Sequence, residues 1–233
     1  MRVKPFTFKK FHIHHSQCAH KVGTDGVLLG AWAAHESPKK ILDVGSGSGL
    51  VSFMLAQRNP QATIWGIDQH EPSVKQAQLS LAEGPFATRG SFLNTDFLKW
   101  SSPEKFDLIV SNPPFFAAAQ NTSQPQRDAA RRQFSLPHQA MLTKMEKHLS
   151  TKGSICLILP TTEAMVLSDF APNIGLHLSK LCTVSSFPSS TVIRHLMTFS
   201  RESNPLEQEH LAIREAPEQW SEAYSALTND FHP

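Results

Sequence analysis

Asn112-Pro113-Pro114-Phe115 joins an amide side chain to two prolines and an aromatic ring. The prolines fix the backbone and remove two N–H donors, which leaves the Asn112 amide oxygen and the Pro113 carbonyl as aimed acceptors. Acceptors that take both hydrogens of a conjugated amine pull it towards a tetrahedral shape and free its lone pair for attack. Phe115 offers a face for a planar substrate, and stacking on an extruded base contributes about 1–3 kcal/mol. A second segment, Asp43-Val44-Gly45-Ser46-Gly47-Ser48-Gly49, places three glycines where a strand meets a helix. Glycines there let the backbone turn tightly and approach a ligand. Leu50 stands at the sixth position counted from Gly45, where a dinucleotide fingerprint needs Gly or Ala, and no lysine follows as a P-loop requires. An acid just ahead of the glycines repels a pyrophosphate and suits a cationic ligand.

Asp68 lies 19 residues after Gly49, where an acid accepts both hydroxyls of a ribose. Asp96-Phe97 can give a carboxylate to an adenine amino group and a backbone N–H to a ring nitrogen. Together these groups describe a pocket for S-adenosylmethionine, with Asp43, Gly45, Gly47, Gly49, Asp68, Asp96 and Phe97 as its cofactor-binding residues. Over residues 41–112 the chain resembles class I methyltransferases. The chemistry is then in-line displacement of a methyl group, with Asn112, Pro113, Pro114 and Phe115 as the catalytic segment and with positioning and electrostatics as the main contributions. Attack on a cytosine ring carbon is disfavoured. It needs a cysteine nucleophile, typically after proline, and none of Cys18, Cys156 and Cys182 follows one.

The elements that must hold these residues follow a rhythm. Ile41–Val44, Ala62–Asp68, Ser91–Asn94, Phe106–Val110 and Ile155–Leu159 read as strands, and Leu50–Ala56, Pro72–Ala82 and Pro137–Leu149 as helices. Such alternation predicts a parallel sheet covered on both faces. Leu176–Phe187 and Thr191–Ser200 flank Pro188-Ser189-Ser190 and predict a hairpin. The expected fold is therefore α/β, a doubly wound, mostly parallel seven-strand sheet of the Rossmann-like class I methyltransferase type with an antiparallel C-terminal hairpin. It forms a single domain over 1–233, with 1–36 a small basic N-terminal extension packed on it. Phe6–Ile13 partly alternates and suggests an edge strand. Thr24 or Asp25 is positioned to cap a helix through Trp32, and Ser221–Phe231 reads as a closing helix.

The four-residue motif is common to enzymes that methylate adenine or cytosine in DNA, adenine or guanine in RNA, and a glutamine amide in release factors. The segment Lys21-Val22-Gly23-Thr24-Asp25-Gly26-Val27-Leu28-Leu29-Gly30-Ala31-Trp32 narrows the choice. It closely resembles the bacterial family that methylates the exocyclic amine of adenine 37 (tRNA numbering), beside the anticodon of a valine tRNA. Phe6-Thr7-Phe8-Lys9, Ser123-Gln124-Pro125-Gln126-Arg127 and Ser221-Glu222-Ala223-Tyr224 extend the resemblance over nearly the whole chain. It implies that Thr24 and Asp25 line the amino-acid end of the cofactor, with Lys21 and Thr24 as cofactor-binding residues. The family commonly carries Tyr where Phe115 stands; Phe keeps the stacking face and loses a hydroxyl.

Charge agrees with a nucleic-acid partner. The chain is +2 overall, but residues 1–24 carry +5 and residues 121–152 carry +4, against −5 for residues 201–233. Arg127, Arg131 and Arg132 are the candidate phosphate contacts, since Arg grips phosphate bidentately. An anticodon loop already exposes its bases, so extruding one costs only about a few kcal/mol. The expected partner is tRNA. Two other readings stay open: methylation of a release-factor glutamine, and an RNA-binding module with a vestigial pocket.

No apolar run approaches the roughly 18–20 residues of a membrane span, and no signal core follows the N-terminal charges, so a cytoplasmic protein is expected. His12, His14, His15 and His20 gather near Cys18, but their spacing fits no standard zinc pattern and no metal is expected. The acidic C-terminal block reads as a solvated tail and helix.

Overall fold

Ile41 and Leu42 are neighbours in the chain, both fully buried, yet they belong to two different apolar clusters. Leu108, Ile109 and Val110 alternate in the same way, as do Ile155, Cys156, Leu157, Ile158 and Leu159. Successive side chains of a strand point to opposite faces, so these uninterrupted apolar runs require a sheet buried on both sides.

The computed structural model describes residues 4–19, 21–114 and 124–232, with 124–135 described as backbone only. The chain opens with β1 (Phe6–Thr7) and β2 (His12–Ile13), then α1 (Thr24–Trp32), β3 (Lys40–Val44), α2 (Leu50–Arg58), β4 (Thr63–Asp68), α3 (Glu71–Glu83), β5 (Gly90–Asn94) and β6 (Phe106–Ser111). There follow α4 (Gln124–His148), β7 (Leu149–Leu159), α5 (Thr161–Phe170), a 3-10 turn (Ala171–Ile174), β8 (His177–Ser185) and β9 (Val192–Ser200). The chain closes with β10 (Glu207–Ala212), β11 (Arg214–Ala216), β12 (Gln219–Trp220) and α6 (Glu222–Thr228). Among the described residues the main sheet has eight strands in the order β10-β8-β9-β7-β6-β3-β4-β5. Strands β7, β6, β3, β4 and β5 run parallel, and β9 is antiparallel to both β7 and β8.

One face carries α1, α2, α3 and α6 with the N-terminal hairpin; the other carries α4 and α5. The two sides of the sheet are thus both covered, as the alternation predicts. Helix α1 lies very close to α2. A Cβ added at Gly30 would come within 2.7 Å of the Met54 sulfur, and one at Gly26 within 2.7 Å of Leu50 Cδ2. Arg58 seals the contact by donating from Nη1 to the carbonyls of Gly30 and Ala33 at the end of α1.

Four local expectations are corrected. The sheet gains an eighth strand, because Glu207–Ala212 pairs in parallel with β8 rather than trailing as a solvated tail. Its residues are nearly all exposed, so it carries no apolar alternation by which to recognise it. Phe6–Ile13 is not an edge strand of the main sheet but a separate two-stranded hairpin. Helix α4 starts at Gln124 and keeps Pro137 inside it, well upstream of the expected Pro137 start. Helix α1 is preceded by extended Gly23, with no side-chain cap from Thr24 or Asp25.

Candidate functional site

Strand register assembles the site. Val44 pairs with Ser111 on one side and with Ile67 on the other, and Asp68 pairs with Asn94. The residues that follow these positions therefore emerge side by side along the carboxyl edge of the sheet: Asn112, Gly45, Asp68 and Asp96. The chain order reverses here, with β4 on one side of β3 and β6 on the other, which is where an open parallel sheet forms its ligand crevice.

The glycine turn has the backbone its residues imply. Gly45, Gly47 and Gly49 have φ of 72°, 52° and 83°, a region costly for residues with a Cβ. A Cβ at Gly45 or Gly47 would meet nothing within 4 Å, so the turn presents bare backbone to open space. Gly49 differs: a Cβ there would lie 2.8 Å from the Phe53 ring and 2.9 Å from that of Phe92. It serves close packing as well as the turn. The Gly45 and Ser46 N–H groups donate to the Ile67 carbonyl at 2.8 and 3.0 Å, tying the turn to β4.

Asp68 braces this turn. Its Oδ2 accepts the Gly47 N–H at 2.8 Å and its Oδ1 accepts the His70 N–H at 2.7 Å. A carboxylate oxygen has room for further donors, so a ribose hydroxyl can still bind there. Asp96 folds its own loop: Oδ1 accepts the Leu98 N–H at 2.9 Å. The Phe97 ring is buried beside Trp100 and His148, which leaves only its backbone for a ligand.

Asp43 is placed differently from its expected direct match to a cation. It is 1% exposed, and its Oδ2 accepts the Ser52 N–H at 3.1 Å and the Ser52 hydroxyl at 2.7 Å. Ser52 is the third residue of α2, whose N-cap Gly49 has no side chain with which to satisfy that orphan N–H. Asp43 does so from the neighbouring strand, and its charge complements the helix N-terminus. Burial pushes its carboxyl up to about 7, against hydrogen bonds from Ser52 that lower it.

On the other side of β3, Ser111 is buried and donates its hydroxyl to the Val44 carbonyl at 2.7 Å. That bond links the root of the Asn112 loop to the root of the glycine turn. Asn112 is half-buried, Pro113 buried and Pro114 exposed. Phe115 lies outside the described residues, as do the side chains of Arg127, Arg131 and Arg132. His138, on α4, is buried. Burial lowers its pKa, and the Glu163 charge and the Pro114 backbone oppose the shift, so the imidazole lies close to the Asn112 loop. Sequence reasoning missed His138 because it lies 24 positions from Pro114, with no motif around it.

The N-terminal segment runs along α3 into the same crevice. The His14 N–H donates to Ser80 Oγ at 2.9 Å, Ser16 Oγ to Gln76 Oε1 at 3.1 Å, and the Ala19 N–H to Ser73 Oγ at 3.4 Å. At the end of this path the Asp68 charge acts on the Cys18 thiol, whose pKa burial raises. Lys21 and Thr24 follow, both exposed. Asp25 pairs with Arg194 of β9 at 2.8 Å, so its carboxylate is already engaged.

The chain matches the family described as Methyltransferase small domain over residues 18–165. It is 38% identical to the tRNA1(Val) (adenine(37)-N6)-methyltransferase of Bacteroides thetaiotaomicron, covering 97% of this chain and 96% of the relative. It is 37% identical to the protein of the same description from Escherichia coli O157:H7, covering 100% and 96%. A crystal structure of a "predicted O-methyltransferase" from Agrobacterium tumefaciens superposes with a TM-score of 0.68 at 16% identity, covering 89% and 96%. That likeness speaks for the fold alone.

Proposed function

Because the chain belongs to the family of tRNA1(Val) (adenine(37)-N6)-methyltransferases, we propose that it methylates the exocyclic amine of adenine 37 in a valine tRNA, using S-adenosylmethionine. One observation carries this reading. The Val44–Ser111 register sets Asn112 and Pro113 beside the left-handed glycine turn, with acceptor and cofactor cradle on one edge.

The residues present fit the cofactor. Gly45 and Gly47 expose backbone to open space, and Asp68 holds one carboxylate oxygen at the turn and the other at the His70 N–H. In this reading Asp68 takes the ribose hydroxyls, Asp96 and the Phe97 N–H take the adenine, and Lys21 and Thr24 border the amino-acid end. Asp43 acts from behind, through the Ser52 contact that fixes the turn. S-adenosylmethionine supplies an electrophilic methyl group when bound.

The rest is done by the loop after β6. The Asn112 amide oxygen and the Pro113 carbonyl accept the two amine hydrogens and orient the nitrogen lone pair. Pro113 and Pro114 keep these acceptors rigid, and fixed dipoles need no reorganisation during reaction. Phe115 stacks the base, and Arg127, Arg131 and Arg132 with the basic N-terminus hold phosphates. We read the chain as one methyltransferase unit, since Phe8, Phe11 and Ile13 of the N-terminal extension join the core under α1 and α2. We place it in the cytoplasm; no described helix is long and apolar enough to cross a membrane.

The test is methyl transfer from labelled S-adenosylmethionine to total bacterial tRNA, followed by digestion and nucleoside analysis. Label in N6-methyladenosine of valine tRNA is the expected result. Label in a release-factor protein and none in tRNA overturns the substrate.

A further inference from the structure

Outside the crevice, three potential metal ligands converge. Phe11 and Ile13 of the N-terminal hairpin are buried in the core, at 5% and 0% exposure, so strand alternation turns His12 and His14 to the opposite, outer side. Glu83, the last residue of α3, rises to meet them. Its Oε2 lies 3.1 Å from His12 Nε2 and 2.8 Å from His14 Nε2. One ligand atom from each of the three side chains lies within 4.8 Å of the others.

The geometry is close to a coordination shell. A tetrahedral Zn2+ with bonds of about 2.0–2.2 Å to nitrogen and oxygen separates its ligand atoms by about 3.3 Å. The two imidazole–carboxylate distances, 3.1 and 2.8 Å, lie within about half an ångström of that, and all three ligand atoms lie within 4.8 Å of one another, so an ion enters by side-chain rotation. The imidazole planes stand nearly perpendicular, at 88°, so the two rings do not stack in the way of an ion. The backbone beneath is fixed: the His14 N–H is held by Ser80 Oγ, itself on buried Ser80. Two imidazoles and one carboxylate suit a borderline ion such as Zn2+ and do not suit Mg2+ or Ca2+, which take oxygen donors. The side chains are 22–48% exposed, which leaves a path for the ion.

We propose that His12, His14 and Glu83 form a structural site for one divalent ion, best matched by Zn2+, with solvent in the fourth position. The ion clips the N-terminal hairpin to the C-terminal end of α3. From that clip, residues 14–19 run back along α3 through the Ser80, Gln76 and Ser73 contacts. They deliver Lys21 and Thr24 to the crevice, so the ion anchors the far end of the strap that borders the cofactor.

The experiment uses the full chain, without tag histidines and stripped with EDTA, titrated with Zn2+ by calorimetry and followed by thermal unfolding. The expected result is about one ion per chain and a raised unfolding midpoint, since a ligand that binds only the folded state stabilises it. His14→Ala and Glu83→Gln each weaken binding by about tenfold or more and abolish the midpoint shift, while their circular dichroism matches the parent. Unchanged Zn2+ affinity in both variants, or no binding by the parent, overturns the site. Co2+ substitution adds a spectroscopic check: a thiolate charge-transfer band would assign the ion to Cys18 and overturn it as well.

Discussion

The two edges of the main sheet are built by opposite rules. At the carboxyl edge, β3 leads into glycines with φ above 50°, β4 and β5 lead to Asp68 and Asp96, whose oxygens bind backbone N–H groups, and β6 leads to Asn112. At the amino edge, charged side chains close on one another. Arg201 pairs with Glu146 at 2.8 Å, Lys40 pairs with Glu104, and Asp107 accepts the N–H groups of Lys39 and Lys40. A cavity of about 300 Å³ lies at this second edge, lined by Trp32, Lys152, Lys180, Arg201 and Glu207 among others. Its size does not make it the reaction site. Lys180 and Arg201 are paired, and Lys180 also lies over the Trp32 ring, so these cations are already engaged. The crevice holds the bare backbone and directed acceptors. Parallel strands bring their carboxyl ends together on one side, and loops leaving those ends collect chemistry there.

The sharpest break would come from Asn112→Ala. It should lower methyl transfer by about 10²–10³-fold with cofactor affinity intact, because one fixed polar contact to the reacting group is lost. Lys152→Ala, in the amino-edge cavity, should leave transfer unchanged; a comparable loss there would erase the distinction between the edges. Next is Gly47→Val. The position needs φ of 52°, which strains an L residue by about 1–2 kcal/mol, and its side chain would fill open space at the turn. Calorimetry should show S-adenosylmethionine affinity reduced about tenfold, by that strain and the added bulk.

A smaller effect is expected at His138. His138→Ala should lower kcat about two- to tenfold, the scale of one hydrogen bond, with cofactor affinity unchanged. His138→Gln retains an N–H donor and should recover part of the rate. Failure of that rescue would make the residue one of packing alone. The smallest effect is a pH slope. Burial holds the Asp43 carboxyl at about 7, above its ordinary 3.8, so the folded chain binds this proton more tightly than the unfolded chain does. The stability from that proton is complete below about pH 4 and is lost as pH rises through about 7. Asp43→Asn keeps an acceptor for Ser52 and should flatten this part of the profile in urea titrations from pH 5 to 8.

Much of the carboxyl edge was legible because its residues are constrained locally. Three glycines in seven positions, two consecutive prolines after an amide, and apolar runs of strand length each restrict backbone or burial without reference to the rest of the chain. The amino edge offered no such signal. Glu207–Ala212 is polar and exposed, so only its partner β8 makes it a strand. Asp43 shows a middle case. Its position before the glycines marked the turn, yet its contact is Ser52, and only the packing of α2 on β3 reveals it. Histidine spacing in the N-terminus argued against a metal, because the third ligand, Glu83, lies 69 residues beyond His14.

The sequence by itself determined the cofactor class and a parallel sheet covered on both faces. Each rests on short-range facts: which residues tolerate a left-handed turn and which must leave water. Tertiary structure alone decided that Val44 pairs with Ser111, that Asp43 meets Ser52, and that Glu83 meets His12 and His14. The physical reason is that strand register and helix packing set distances between residues dozens of positions apart, and no local preference encodes those distances.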